Sequence, residues 1–164
     1  MIEYSRLKEY LRYDPLTGVF TWIKKKTKGS VKVGDVAGCP HGNGYWDIRI
    51  DRRLYFAHRL AWFYMTGKWP NGHIDHKNGD PGDNRWENLR EATASQNHAN
   101  TRRPKNNTSG LKGASYAKAN NRWLAQIRKQ GRHVYLGYHD TKEEAHAAYL
   151  EASRRLNGEF ARAG

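Results

Sequence analysis

Apolar positions along this chain recur with two periods, one helical and one extended. Leu7, Tyr10 and Leu11 share one side of a helical projection, so residues 5–13 predict a short helix. Asp14-Pro15-Leu16-Thr17-Gly18 is a turn signal, and Val19–Ile23 reads as a strand. Residues 24–44 read as a loop. Tyr45–Ile50 and Leu54–Ala57 form an expected hairpin around Asp51-Arg52-Arg53, and the pattern turns helical from His58 to Thr66, closing at Gly67. Residues 68–92 are rich in Gly, Asn, Asp and Pro, too polar for a core and too dense in ligand-type side chains for an idle loop. A short helix is expected from near Thr93 or Ser95, then a linker over 101–110. Three strand-like pieces follow at about 112–118, 122–130 and 132–138.

The last expected helix, Lys142–Leu156, has a clear start. Thr141 and Glu144 fit a capping box, and Ala145, Ala148, Tyr149, Ala152 and Leu156 make one apolar stripe. Asn157-Gly158 ends it. The C-terminal third therefore reads as a three-stranded sheet backed by one helix, and the chain as α+β.

Composition narrows the function. The 164 residues carry 29 Lys+Arg against 16 Asp+Glu, a formal net charge of +13, yet 12% are aromatic, with six Trp and ten Tyr. Disordered basic tails lack such rings, so folded cores are expected. No acidic residue lies between Glu91 and Asp140, and Arg102–Arg132 alone holds nine Lys/Arg. A charge block of this kind wants a polyanion, and nucleic acid is the first choice. No apolar run reaches the ~20 residues of a membrane span, and no signal peptide precedes the first charges, so a cytoplasmic protein without membrane partners is expected. The single cysteine, Cys39, excludes an intramolecular disulfide and multi-cysteine zinc sites, and reads as a small buried hydrophobe.

Residues 74–97, IDHKNGDPGDNRWENLREATASQN, set a hard oxygen donor, Asp75, beside a group that titrates near neutrality, His76. Phosphodiester hydrolysis needs such a pair: a base for water, and a cation to neutralise phosphate charge. Carboxylate and carboxamide ligands suit Mg²⁺, with Mn²⁺ as the alternative. His73 would share the strand face of Asp75 and reads as a phosphate contact or a solvated side chain. Asn78, Asp80, Asp83 and Asn84 are turn-forming types and read as structural. His58 reads as a packing or hydrogen-bonding residue. Lys24–Lys26 and Arg52–Arg53 read equally as phosphate contacts or solvated charge.

The segments AHRLAWFYMTG, HIDHKNGD and DNRWENLREATASQNHAN resemble the HNH nucleases of the phage homing endonuclease type, and YDPLTGVFTW resembles that family's N-terminal part. The resemblance covers roughly residues 1–100. It implies a ββα-metal unit, two strands and a helix around one divalent cation, with its core at about 55–101 of a nuclease domain spanning 1–104. It implies that Asp75 is the metal-binding acid, His76 the general base, Asn88 the residue that ties the loop and aims the base, and Asn97 the helix residue completing the metal site. Many relatives have a His at that last position. Here Asn97 is followed by His98, which stays open as the alternative ligand.

Residues 109–161 resemble the plant ethylene-response-factor type of DNA-binding domain (the AP-two domain), through SGLKG, RWLAQIR, YLGYHDT, EEAHAAY and NGEFA. That implies a domain over 105–164 whose sheet lies in the major groove of double-stranded DNA. Alternation puts Arg122, Leu124, Gln126 and Arg128 on one face, and Trp123, Ala125, Ile127 and Lys129 on the other. Ala125 and Ile127 suit the helix side, so Arg122, Gln126 and Arg128 are the DNA-facing candidates. Lys112, Lys118, Arg132 and Tyr135 are candidates for backbone contacts, and Trp123 reads equally as core or as a DNA contact.

The function expected is that of a metal-dependent DNA endonuclease, monomeric or weakly dimeric, with a homing role in a phage or mobile element implied by the resemblance. A DNA-binding regulator with a vestigial nuclease site is the alternative from another class, and an RNA-binding module a third.

Overall fold

The computed structural model describes residues 1–24, 31–101 and 107–162. Lys25, Lys26 and residues 102–106 of the expected linker lie outside the described residues. The chain divides into two compact units, Met1–Glu91 and Ala92–Gly164.

The first unit opens with α1 (Tyr4–Tyr10), which buries Leu7. The helix expected over 5–13 stops early. Leu11 and Tyr13 are buried while Arg12 is exposed, a period of two that only an extended chain satisfies. β1 (Leu11–Tyr13) accordingly pairs antiparallel with β2 (Phe20–Trp22). In the turn between them the Asp14 carboxylate accepts from the Leu16 amide and the Thr17 hydroxyl.

A second sheet holds β3 (Cys39–Pro40), β4 (Trp46–Ile50) and β5 (Arg53–Phe56) in that order. Asp51 and Arg52 turn the β4–β5 hairpin with φ of 47° and 66°, both left-handed, as a tight two-residue hairpin turn requires. Cys39 is exposed, contrary to the expectation of a buried hydrophobe, because β3 is a two-residue edge strand with both residues facing solvent. The chain then enters α2 (Ala57–Thr66), which ends at a left-handed Gly67. Leu7, Leu11, Phe20, Trp22, Ile48, Ile50 and Leu60 gather these elements into one core. From that core emerge β6 (His73–His76) and β7 (Leu89–Ala92), which pair with each other.

In the second unit, α3 (Ala94–Ala99) starts with a capping box between Thr93 and Gln96. β8 (Ala114–Ala117), β9 (Arg122–Lys129) and β10 (Arg132–His139) form an antiparallel sheet in the order β10-β9-β8. α4 (Lys142–Asn157), capped by Thr141 and Glu144 as expected, lies across one face. Its Ala145, Tyr149 and Ala152 cover Ala114, Ala125 and Ile127. Gly113, at φ +78°, lies under the Tyr149 ring, and any side chain there would run into that ring. Trp123 packs on the same cluster and belongs to the core side. α3 packs against α4 and against the one-turn 3₁₀ segment Gly158–Phe160. Among the described residues no helix is long and apolar enough to cross a membrane.

Leu60 is fully buried, so Leu60→Ala should cost about 2–5 kcal/mol in urea unfolding of the chain. Thr141→Ala, which removes only a cap, should cost about 1 kcal/mol.

Candidate active site

Asp75 and His76 close β6, and both are buried, at 4% and 5% exposure. A buried polar group needs partners. The Asp75 carboxylate takes one from across the two-stranded sheet, where Arg90 Nε donates to Oδ2 at 2.8 Å. Removing Arg90 would leave a desolvated carboxylate, the costly half of a broken buried pair.

The His76 ring is held on the loop side. Its Nε2 lies 3.3 Å from Asn84 Oδ1, while Asn84 Nδ2 donates to the Gly82 carbonyl at 3.2 Å. Around it stand two more rings, His58 with its centroid 5.1 Å away and edge-on, and Tyr45 at 6.1 Å. Phe56 stacks on His58 at 5.4 Å. His58 thus packs, as read from the sequence. Burial lowers the pKa of His76 from its ordinary value and pushes His58 down to about 3. A neutral imidazole is the form that accepts a proton.

Between β6 and β7 the loop is tied by side chains. Asn88 Oδ1 accepts from the Asn78 amide at 3.0 Å, and its Nδ2 donates to Asn78 Oδ1 and to the Asp83 carbonyl at 3.0 and 2.8 Å. Arg85 pairs with Asp83 at 2.7 Å and holds that carboxyl down to about pKa 2. Asn88 therefore closes the loop, but the side chain that meets His76 is Asn84. By sequence, Asn84 reads as one of the turn formers. An Asn in a turn-rich stretch carries no local mark of such a role; only its register, eight residues beyond the histidine, could have flagged it.

His73 is exposed at the start of β6. Asn97 is half-buried on α3 and His98 is exposed, both in the second unit. Among the described residues no group of three His, Cys, Asp or Glu is placed to hold a metal. The donor chemistry still fits one class of ion. A buried carboxylate oxygen suits a hard cation of the Mg²⁺ type, which binds through one or two carboxylates and completes its shell with waters and phosphate oxygens. Lys24 of the N-terminal basic run is paired with Glu9.

In the second unit the strand register sorts the basic candidates. Ala125 and Ile127 lie beneath α4, so Arg122, Gln126 and Arg128 point to the opposite face, and Tyr135, opposite Gln126, joins them. Tyr135 is 61% exposed. Arg122 is paired with Asp140 at 2.8 Å, and Arg128 Nε donates to the Gly131 carbonyl at 3.2 Å. Gln126 and Arg128 also line a cavity of about 390 Å³ with His98 and His133. Two candidates are elsewhere. Arg132 pairs in register with Lys129 and so falls on the α4 face. The Lys112 ammonium donates to the carbonyls of Ala99 and Thr101 at 2.9 and 2.7 Å, at the C-terminal end of α3. Burial lowers the pKa of the Lys112 ammonium at that cap. Lys118 lies exposed in a one-turn 3₁₀ segment.

A buried histidine beside a buried carboxylate, on a strand pair whose loop is tied by carboxamides, falls within residues 55–99, and this span forms an HNH endonuclease domain by its match to that family. The chain is 36% identical to Protein 3.8 of Escherichia phage T7, over 64% of its own length and 87% of the phage protein, and it belongs to that protein's family. No solved structure matches the chain.

The two buried histidines give the first unit an acid limit. Folded His58 takes a proton only near pH 3, whereas its ordinary value is 6.5. Between those values the unfolded chain binds more protons, so stability rises with pH through the window and is lost as pH falls from 6.5 toward 3. His58→Phe, which keeps a ring in the stack, should reduce the slope of melting temperature against pH there, as followed by circular dichroism.

Proposed function

We propose that the chain is a metal-dependent DNA endonuclease in which His76 is the general base. The observation that carries this reading is the buried imidazole of His76, kept neutral by its surroundings and bonded by Asn84, beside the Asp75 carboxylate in an HNH endonuclease domain. Asp75 would hold one divalent cation, Mg²⁺ or Mn²⁺, with Asn97 as the helix ligand and His98 as its alternative. When bound, the cation supplies charge neutralisation on the scissile phosphate and the leaving oxygen. His76 takes the proton from the attacking water. Asn88 keeps the loop closed behind it.

Targeting falls to residues 105–164 in this reading, and cleavage to residues 1–104. The sheet face bearing Arg122, Gln126, Arg128 and Tyr135 would enter the major groove in the manner of an AP-two domain, with α4 behind it. The shared face of these four side chains supports that assignment, with Lys112 and Arg132 left as candidates for backbone contacts. A relative encoded by a phage supports a role in phage or mobile-element DNA scission, with homing as the specific form.

Purified protein with supercoiled plasmid and Mg²⁺ should yield nicked or linear DNA, and EDTA should abolish the reaction. His76→Ala should lower the rate by about 100-fold or more while leaving DNA affinity nearly unchanged. Binding without metal-dependent cleavage in the wild-type protein would instead favour the regulator reading. Arg128→Ala should weaken duplex binding and flatten its dependence on salt by about 0.9 in log–log slope, if the guanidinium neutralises one phosphate; an unchanged slope in a filter-binding titration would remove Arg128 from the interface.

A further inference from the structure

The loop that carries Asn84 is gripped from outside the family-matched span. Tyr13, at the end of β1 and 4% exposed, donates its hydroxyl to the Asn84 carbonyl at 2.6 Å. The Trp86 amide donates to the Pro15 carbonyl at 3.0 Å. Gly18, at φ +75°, lies flush against the backbone of Asn84 and Arg85, where any Cβ would collide with both. Three groups of the β1–β2 hairpin thus fix residues 84–86, all of them upstream of residues 55–99.

The grip reaches the His76 ring through one amide. Asn84 is 4% exposed, and its Nδ2 is committed to the Gly82 carbonyl. Its Oδ1 is therefore the atom that faces His76 Nε2. A carboxamide oxygen only accepts, so Nε2 must carry the proton, and the basic lone pair of the neutral ring is then on Nδ1. We propose that the β1–β2 hairpin, acting through Asn84, selects the Nε2–H tautomer of His76, which makes Tyr13, Gly18 and Asn84 positioning residues for the base. The proposal rests on the reading of His76 as general base, whose ring it orients through the Nε2–Asn84 contact.

The tautomer can be read directly and without turnover. In the full chain labelled with ¹⁵N-histidine, long-range proton–nitrogen correlations distinguish an Nε2–H ring from an Nδ1–H ring, and His76→Ala identifies the signals of His76 among the eight histidines. The wild-type ring should show the Nε2–H pattern. Asn84→Ala should shift it toward a mixture, and Asn84→Asp, which keeps an acceptor, should restore it. Tyr13→Phe keeps the ring packed against Phe20 and loses only the hydroxyl; it should move the pattern part of the way. In plasmid cleavage Asn84→Ala should lower kcat about 10–100-fold with KM for DNA unchanged, and Tyr13→Phe should lower it about fivefold. An Nδ1–H pattern in the wild-type protein would overturn the proposal. So would an unchanged pattern in folded Asn84→Ala; if that variant does not fold, an unchanged pattern and rate in Tyr13→Phe would overturn it. Absence of cleavage by the wild-type protein counts against the nuclease reading alone, because the tautomer result decides the positioning of His76 by itself.

Discussion

Residues 77–88 hold no sizeable apolar side chain apart from Pro81 and Trp86, so hydrophobic burial cannot shape that loop. Hydrogen bonds from short polar side chains do so instead. Asn88 reaches back to both polar faces of Asn78 and to Asp83, Asp83 holds Arg85, and Asp80 and Asn78 bond amides two residues along. Each such bond is worth little in net stability, but an unmade one in a buried place is expensive, and that asymmetry forces a single closed arrangement. The placement of the site residues follows from it. A loop free to choose among conformers could not hold one carboxamide oxygen against one ring nitrogen.

The surrounding apolar core does different work. Ile48, Ile50, Leu60 and Trp22 supply the driving force for the first unit, while the rings of Tyr45 and His58 remove water from His76. Dehydration sets the protonation state and the loop sets the direction. In the second unit the labour is divided by strand parity: α4 takes every other residue of β9 for its core, and the remainder, Arg122, Leu124, Gln126 and Arg128, face away.

Much of this was legible in the residues. The capping box at Thr141, the closing Gly67, the Asp14 turn and the alternation of β9 each carry a local physical signature, and each appears where its signature lies. The failures have one cause. Leu11 and Tyr13 can continue a helix or begin a strand, and only pairing with Phe20–Trp22 decides between them. Cys39 has a buried residue's composition but stands on an edge strand. Lys112 makes a structural contact that no local pattern announces, to a carbonyl at the end of α3. Asn84 and Asn88 are chemically identical, and their separate tasks come from contacts eight to ten residues away. Where the deciding partner is remote, local pattern is silent.

The buried Asp75–Arg90 pair has a consequence for how the protein is made. A carboxylate kept out of water only by an incoming ion would tie folding to metal supply, as happens in small zinc modules that are unfolded when empty. Here a guanidinium 2.8 Å away already carries the compensating charge. The first unit can therefore complete its fold with no ion present, and under the proposed reading a cation held by Asp75 would meet a finished scaffold rather than build one.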